Sequence, residues 1–240
     1  MKEKNKSILT IISFLTSFAL LIISTISCIA FYNINSNAVT TIASYNGIIY
    51  AGNQSSNKVS LMINVYWGDE FIDGILDTFK KHDAHTTFFL GGTWVNQNSE
   101  LAEKIKNAGH EIASHATTHA DLGKLDYNGN YKEINTCHSI VEKTLGVNMN
   151  LLAPPSGSYN KETIRAAETL GYKTIMWTRD TIDWRDHDTS LIYSRAVSNM
   201  QGGDLILMHP TKNTLEALDK ILSYIEDNNF VCTTVTDTLS

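Results

Sequence analysis

Two histidines four residues apart, His115 and His119, are the first side chains in this sequence whose type and spacing suggest chemistry. Two imidazoles at this spacing can reach one cation, on a helical turn or in a compact loop. A carboxylate from another part of the chain would complete a three-ligand metal site with a position open for water. Asp69 and Glu70 are the nearest candidates, although acidic residues there equally suit the start of a helix.

His209 follows an apolar stretch and precedes a proline, which allows either an acid–base role or a place in the core. Asp183 could hydrogen-bond one of its ring nitrogens and favour the protonated imidazole. Three tryptophans, Trp67, Trp177 and Trp184, either belong to the core or line a groove where sugar rings stack.

The elements that must position these residues alternate between strand and helix. About seven predicted strands are separated by helices, which indicates an α/β fold with parallel strands and right-handed crossovers. The candidate residues follow the carboxyl ends of the strands, where barrel enzymes build their active sites. The remaining turns carry glycines that suit helix ends. A barrel and an open doubly wound sheet both fit this pattern. The predicted strands cover 59–65, 86–90, 111–114, 151–153, 173–177, 205–208 and 230–235.

The first 57 residues differ from the rest of the chain. Three lysines precede an apolar run over 8–31, and about 20 such residues cross a bilayer as a helix. We assign 1–7 to a cytoplasmic tail, 8–31 to a transmembrane signal anchor, 32–57 to a linker and 58–240 to one domain. The lysines should stay inside, which places the domain outside the cell membrane. A cleaved signal peptide followed by secretion is the alternative.

Charge and composition exclude several partners. The 240-residue chain has a formal net charge of −6, whereas nucleic-acid binding needs a basic surface. No glycine-rich phosphate loop follows the first strand, which argues against a nucleotide. Cys137 and Cys232 either pair outside the cell or remain buried thiols.

With these residues in place, the region 58–240 resembles the polysaccharide deacetylase (NodB homology) family, a carbohydrate esterase family 4-like group. It is most similar to the membrane-anchored, sporulation-type branch of Gram-positive spore formers. Five motifs occur in order, which is far more specific than any one of them. They are INVYWGDE (63–70), SHATTH (114–119), APPSG (153–157), DTIDW (180–184) and LILMHP (205–210).

The resemblance implies a distorted (β/α) barrel and de-N-acetylation of peptidoglycan or chitin-like glycan, the hydrolysis of a non-peptide amide bond. It implies a divalent metal, zinc or alternatively cobalt, bound by His115, His119 and an aspartate. We assign the third ligand to Asp69, although either Asp69 or Glu70 could take one or both roles of the family's aspartates. The metal would activate a water, with Glu70 available as the base. His209 would be the general acid, tuned by Asp183. A substrate groove would be lined by Pro155, Ser156, Gly157 and Tyr159 together with Trp67, Trp177 and Trp184.

The sequence also departs from the family pattern. The family's first motif usually has two adjacent aspartates, a base and a metal ligand, but Asn64 stands at the base position and an amide cannot accept a proton. The second aspartate has no counterpart, because an aromatic-rich insertion shifts the register. Ala153 replaces the arginine that positions the base. Two hypotheses remain open: a deacetylase rewired around Asp69 and Glu70, or a catalytically impaired, membrane-anchored glycan-binding homologue.

Overall fold

The computed structural model describes residues 44–240, which contain one ten-stranded β-sheet. The spatial order is β1-β2-β7-β6-β5-β4-β3-β9-β8, and β10 pairs with β3 at its amino-terminal end. The β1–β2 pair is antiparallel, and the other paired neighbours are parallel. The strands are β1 (Ser44–Tyr45), β2 (Ile48–Ile49), β3 (Lys58–Val65), β4 (Thr87–Leu90), β5 (Glu111–Ser114), β6 (Leu151–Leu152), β7 (Lys173–Ile175), β8 (Arg179–Asp180), β9 (Leu205–Met208) and β10 (Val231–Cys232).

Helices connect most of these strands, as the alternating pattern predicts. Several begin at a polar cap; the side chain of Asn160, for example, accepts hydrogen bonds from the backbone of Glu162 and Thr163. In the described residues the helices are α1 (Asp69–Lys81), α2 (Gly92–Gln97), α3 (Ser99–Asn107), α4 (Tyr127–Leu145), α5 (Lys161–Thr169), α6 (Thr189–Val197), α7 (Lys212–Asp227) and α8 (Val235–Thr238).

The sheet is an open half-barrel. Strands β1 and β8 stand at opposite ends of the strand order, and within residues 44–240 no pairing joins them. The prediction of an α/β fold with parallel strands is confirmed, but the sheet does not close. Residues 44–57, which the sequence pattern assigned to a linker, contribute the two short strands β1 and β2. The predicted strand over 230–235 is too long, because β10 has two residues and a helical turn begins at Val235.

The two faces of the sheet bury different sets of side chains. On β3, Val59, Leu61, Ile63 and Val65 point outward into a large core shared with the helices. Met62 points the other way, into a small inner core. This inner core also contains Phe89, Ala113, Leu151, Ala153, Ile175, Leu205, Val235 and Leu239. It fills one end of the half-barrel and leaves the carboxyl ends of the strands open for a site.

The predicted transmembrane anchor at 8–31 lies outside the described residues. Between residues 44 and 240, none of the helices combines the length and apolar character needed to cross a bilayer. Cys137 and Cys232 are both buried free thiols, which leaves the disulfide alternative without support.

Candidate active site

The strand period of two places the candidate residues at the open end of the half-barrel. Successive side chains of a strand point to opposite faces, so residues two apart share a face. Asn64 therefore lies above the inner-core residue Met62. Four further residues face the same side of the sheet, because each comes two positions after an inner-core residue. They are His115 after Ala113, Ala153 after Leu151, Trp177 after Ile175 and Leu207 after Leu205.

His209 and Asp183 are joined by two hydrogen bonds, one through the ring and one through the backbone of His209. The Asp183 carboxylate is fully buried, and its Oδ1 lies 2.8 Å from Nδ1 of His209. Its Oδ2 accepts the backbone N–H of His209 and the hydroxyl of Thr214, each at 2.6 Å. Because an ionised carboxylate only accepts, Nδ1 must carry the proton, and Nε2 of a neutral ring is left as an acceptor. The predicted hydrogen bond between Asp183 and the ring is present, while the acid role of His209 stays a prediction.

His115 and His119 lie next to each other, with ring centroids 5.2 Å apart. Nδ1 of His115 hydrogen-bonds the carbonyl oxygen of Ala153 at 2.8 Å, so this nitrogen carries hydrogen and Nε2 keeps its lone pair. Burial, and secondarily the neighbouring His119, lowers the pKa of His115 to about 3. The pKa of His119 is also lowered, mainly by burial. Both rings are therefore neutral near pH 7.

Two aromatic side chains contact these histidines. Tyr66 packs against His119 with centroids 5.1 Å apart, and Trp67 stacks on His209 at 5.8 Å with the planes inclined by 7°. A Cβ at Gly91 would lie 2.4 Å from Cδ2 of Tyr66, so a glycine is needed there for the ring to fit. The pairing of β3 with β4 continues in register to Val65. Tyr66 and Trp67 follow the strand directly.

Asp69 and Glu70 occupy the first turn of α1, where carboxylates suit the helix dipole. Oδ1 of Asp69 accepts a hydrogen bond from the indole of Trp94, which the sequence left without a role. Neither carboxylate lines the cavity at the strand ends. Asp69 and Glu70 are therefore residues of a helix start, and in residues 44–240 Asp69 does not form a metal-binding group with the two histidines.

The described residues do not fit the three-ligand metal site that the family implies. Across residues 44–240, no three side chains of histidine, cysteine, aspartate or glutamate are grouped so as to hold a metal ion. His115 and His119 supply two neutral imidazoles, but a hydrolytic zinc centre needs a third protein ligand. The neighbouring Tyr66 presents a ring to His119 in place of a carboxylate.

A cavity of about 580 Å³ opens at the strand ends. Of the predicted site residues, it is lined by Asn64, Trp67, His119, Ser156, Gly157, Trp177, Trp184 and His209. Pro155 is buried instead, and the hydroxyl of Tyr159 bonds that of Tyr50, so neither lines this cavity. Asp180 and Leu207 also line it. Both are in the motifs quoted above, but nothing in the sequence pattern singles them out.

Backbone strain is concentrated in the loops around this cavity. Four residues there have positive φ although they are neither glycine, asparagine nor aspartate, the types that tolerate it. They are Ala116 (57°), His119 (59°), Ser156 (54°) and Ile182 (55°). The other positive-φ residues recorded in the described chain, glycines aside, are asparagine or aspartate. Such strain persists where packing fixes a functional loop.

The chain matches known proteins over most of this domain. Residues 51–175 match the polysaccharide deacetylase family model. The uncharacterized protein YlxY of Bacillus subtilis is 40% identical over 189 residues, 79% of this chain and 59% of that protein. The peptidoglycan-N-acetylglucosamine deacetylase PgdA of Listeria monocytogenes is 30% identical over 76% of this chain and 39% of its own length. This chain thus spans less than two thirds of either relative.

Comparison with solved structures also relates this chain to the polysaccharide deacetylase family. A CE4 family pseudoenzyme from Bacillus anthracis superposes with a TM-score of 0.78 at 34% identity, over 80% of this chain and 69% of that one. A mutant of that pseudoenzyme with restored enzymatic activity superposes equally well, at 33% identity. On the family match, the sequence identity and the shared half-barrel, this chain belongs to the polysaccharide deacetylase (CE4) family.

Proposed function

We propose that this protein is a catalytically impaired member of its family that binds cell-wall glycan in the strand-end cavity without removing acetyl groups. The observation that carries the proposal is the pair of aromatic rings on two histidines of the cavity: Tyr66 on His119 and Trp67 on His209. The amide of Asn64 stands at the cavity floor and cannot act as a base. The similarity to a CE4 pseudoenzyme supports the same reading.

Glycan as the ligand follows from the lining of the cavity. Trp67 and Trp184 are 44% and 52% exposed, and both exposed indoles line the same cavity. Flat aromatic faces stack on the apolar faces of sugar rings, and the cavity adds polar groups that can fix orientation. The peptidoglycan deacetylase that matches this chain supports a cell-wall polymer as the partner.

The test is to measure binding and hydrolysis with the same purified protein. We expect calorimetric binding of peptidoglycan fragments or chitin oligomers, and no acetate release with added Zn²⁺ or Co²⁺. Trp184→Ala should weaken binding at least fivefold, whereas Leu191→Ala, an equally exposed apolar residue outside the cavity, should not. Metal-dependent acetate release would overturn the proposal.

Metal-dependent deacetylation is a second candidate, favoured by the intact pair of Asp183 and His209 and by the free Nε2 of His115. It requires that Tyr66 move away and that a carboxylate approach the histidines. Chelation should then abolish activity and zinc should restore it, with Asp69→Ala and Glu70→Ala each tested for metal content. Unchanged metal content in both variants would exclude a site rewired around these carboxylates.

Rescue variants separate loss of chemistry from loss of fold. Because Tyr66 and Trp67 contact the two histidines, Tyr66→Asp/Trp67→Asp should gain metal binding. Asn64→Asp with Ala153→Arg tests the alternative that the base position alone is at fault; the full burial of Ala153 makes stability a necessary check. A gain in metal content from the second pair but not the first would show that the aromatic rings are not the cause.

The location of the protein is proposed from the sequence alone. The lysines before the apolar run over 8–31 favour a membrane anchor with the domain outside the cell, as in the sporulation-type branch of the family. Protease added to intact cells should digest the domain and leave the amino terminus protected. Full protection of the domain would contradict this orientation, and release into the medium would indicate a cleaved signal peptide.

A further inference from the structure

The cavity combines three indoles with one carboxylate that has an unpaired oxygen. Trp67, Trp177 and Trp184 all line it, and Trp67 uses one face against His209, which leaves the other available. Indole faces attract cations through the ring quadrupole. Trp184 already makes such a contact outside the cavity lining, because the guanidinium carbon of Arg185 lies 5.9 Å from its ring centroid.

One carboxylate oxygen in the same lining is not used by the protein. Oδ1 of Asp180 accepts the backbone N–H of Ile182 at 2.8 Å, and the described part of the chain provides no hydrogen bond to Oδ2. Asn64 also lines the cavity, but its Oδ1 is buried and out of reach of a ligand there.

Asp180 is the carboxylate of the lining, and of the described residues that line the cavity none is a lysine or arginine. The hydrogen bond to Asp186 raises the pKa of Arg185, an exposed side chain outside the lining, and the charge of Asp180 adds to this effect. The formal net charge of −6 adds a field of the same sign as Asp180. A cationic donor group therefore matches the cavity, because it supplies an N–H bond to Asp180 and a charge for the indoles.

We propose that the cavity selects glycan in which the hexosamine carries a free, protonated amino group over the same glycan in N-acetylated form. This rests on the proposed glycan-binding function and names its ligand class. The ammonium group would donate to Asp180 and lie near the indoles. An N-acetyl group would carry no charge and would bring a carbonyl oxygen towards a carboxylate. The ligand is thus the product of de-N-acetylation by another enzyme.

Calorimetry with the full-length protein can test this with two matched probes, tetramers of glucosamine and of N-acetylglucosamine. We expect the deacetylated tetramer to bind at least tenfold more tightly. Asp180→Asn should remove most of that preference without weakening the acetylated tetramer. Asp188→Asn is the control: it removes the same charge from an exposed helix cap, where asparagine caps equally well.

The outcomes separate the two proposals. Equal or tighter binding of the acetylated tetramer would overturn this inference and leave the glycan-binding function standing. Failure to bind either tetramer or peptidoglycan would overturn both. An equal loss of preference in Asp188→Asn would mean that general attraction of charge, not the cavity, selects the ligand. If Asp180→Asn melts early, Trp184→Phe provides a second variant at an exposed position of the lining, which should lower affinity for the deacetylated tetramer about threefold more than for the acetylated one.

Discussion

The buried carboxylate of Asp183 gives the sharpest test of how this site is organised. Asp183→Asn keeps the shape of the side chain and removes its charge. If the amide oxygen takes the place of Oδ2, it still accepts from the backbone of His209 and from Thr214. The amide NH₂ then faces Nδ1 of His209, which must give up its proton and accept instead. The substitution should therefore move the ring proton to Nε2.

The loss in the free energy of unfolding follows from the hydrogen bonds that Asp183→Asn weakens. A bond to a charged group contributes about 1.5–3 kcal/mol and a neutral bond about 0.5–1.5 kcal/mol, so each bond loses about 1 kcal/mol. Asp183 accepts three bonds, which gives about 3 kcal/mol by this rule. Relief of carboxylate desolvation offsets part of this, so we expect a net loss of about 2 kcal/mol. Asp183→Ala should cost about 3–5 kcal/mol, because it leaves all the donors unpaired.

Urea denaturation followed by circular dichroism measures the free energy of unfolding, and ¹⁵N NMR of labelled histidine reports the tautomer. Asp188→Asn makes the same chemical change at an exposed helix cap and should cost less than about 0.5 kcal/mol. A loss for Asp183→Asn no larger than this control would refute the reasoning. So would a ring that keeps its proton on Nδ1.

Three further substitutions test packing, strain and titration. Gly91→Ala should destabilise the fold by about 1–3 kcal/mol in urea denaturation, because the added Cβ overlaps Tyr66; an unchanged midpoint would count against that contact. Ile182→Asn should raise the melting temperature through relief of about 1–2 kcal/mol of left-handed strain, and a lower melting temperature would contradict this account. Burial lowers the pKa of His110 to about 4, so the folded state stays neutral where the unfolded state gains a proton near pH 6.5. The contribution of His110 to the free energy of unfolding is therefore fully present above about pH 6.5. It is lost as the pH falls towards 4, by up to about 1.4 kcal/mol per pH unit. His110→Asn should flatten this slope and His187→Asn, an exposed control, should not.

Local patterns predicted most elements of the fold. Continuous apolar runs such as Thr87–Leu90 and Leu205–Met208 are buried strands because both faces of the sheet are covered. Helix boundaries followed from caps and glycines, as at Asn160. Three of the two-residue strands, β1, β2 and β8, were missed, since so short a segment carries no period and pairs only because neighbouring strands are already in place.

The site was harder to predict than the fold. Motif order correctly brought Asn64, His119 and His209 to one cavity, because parallel strands end at the same edge. Motif order could not decide whether Asp69 binds a metal or begins a helix, since a carboxylate after a strand suits both roles. In the structure Asp69 begins a helix, and its carboxylate accepts a hydrogen bond from Trp94, a residue distant in sequence.

The sequence by itself determined the family, the parallel α/β class and the edge of the sheet where polar residues gather. It did so because strand periodicity and motif order are local properties of the chain. Only the tertiary structure decided what these residues face. It packed Tyr66 and Trp67 onto the histidines, buried Oδ1 of Asn64 with no hydrogen-bond partner among residues 44–240, and turned Asp180 into the cavity. Those contacts join residues from different strands and loops, so no single segment encodes them.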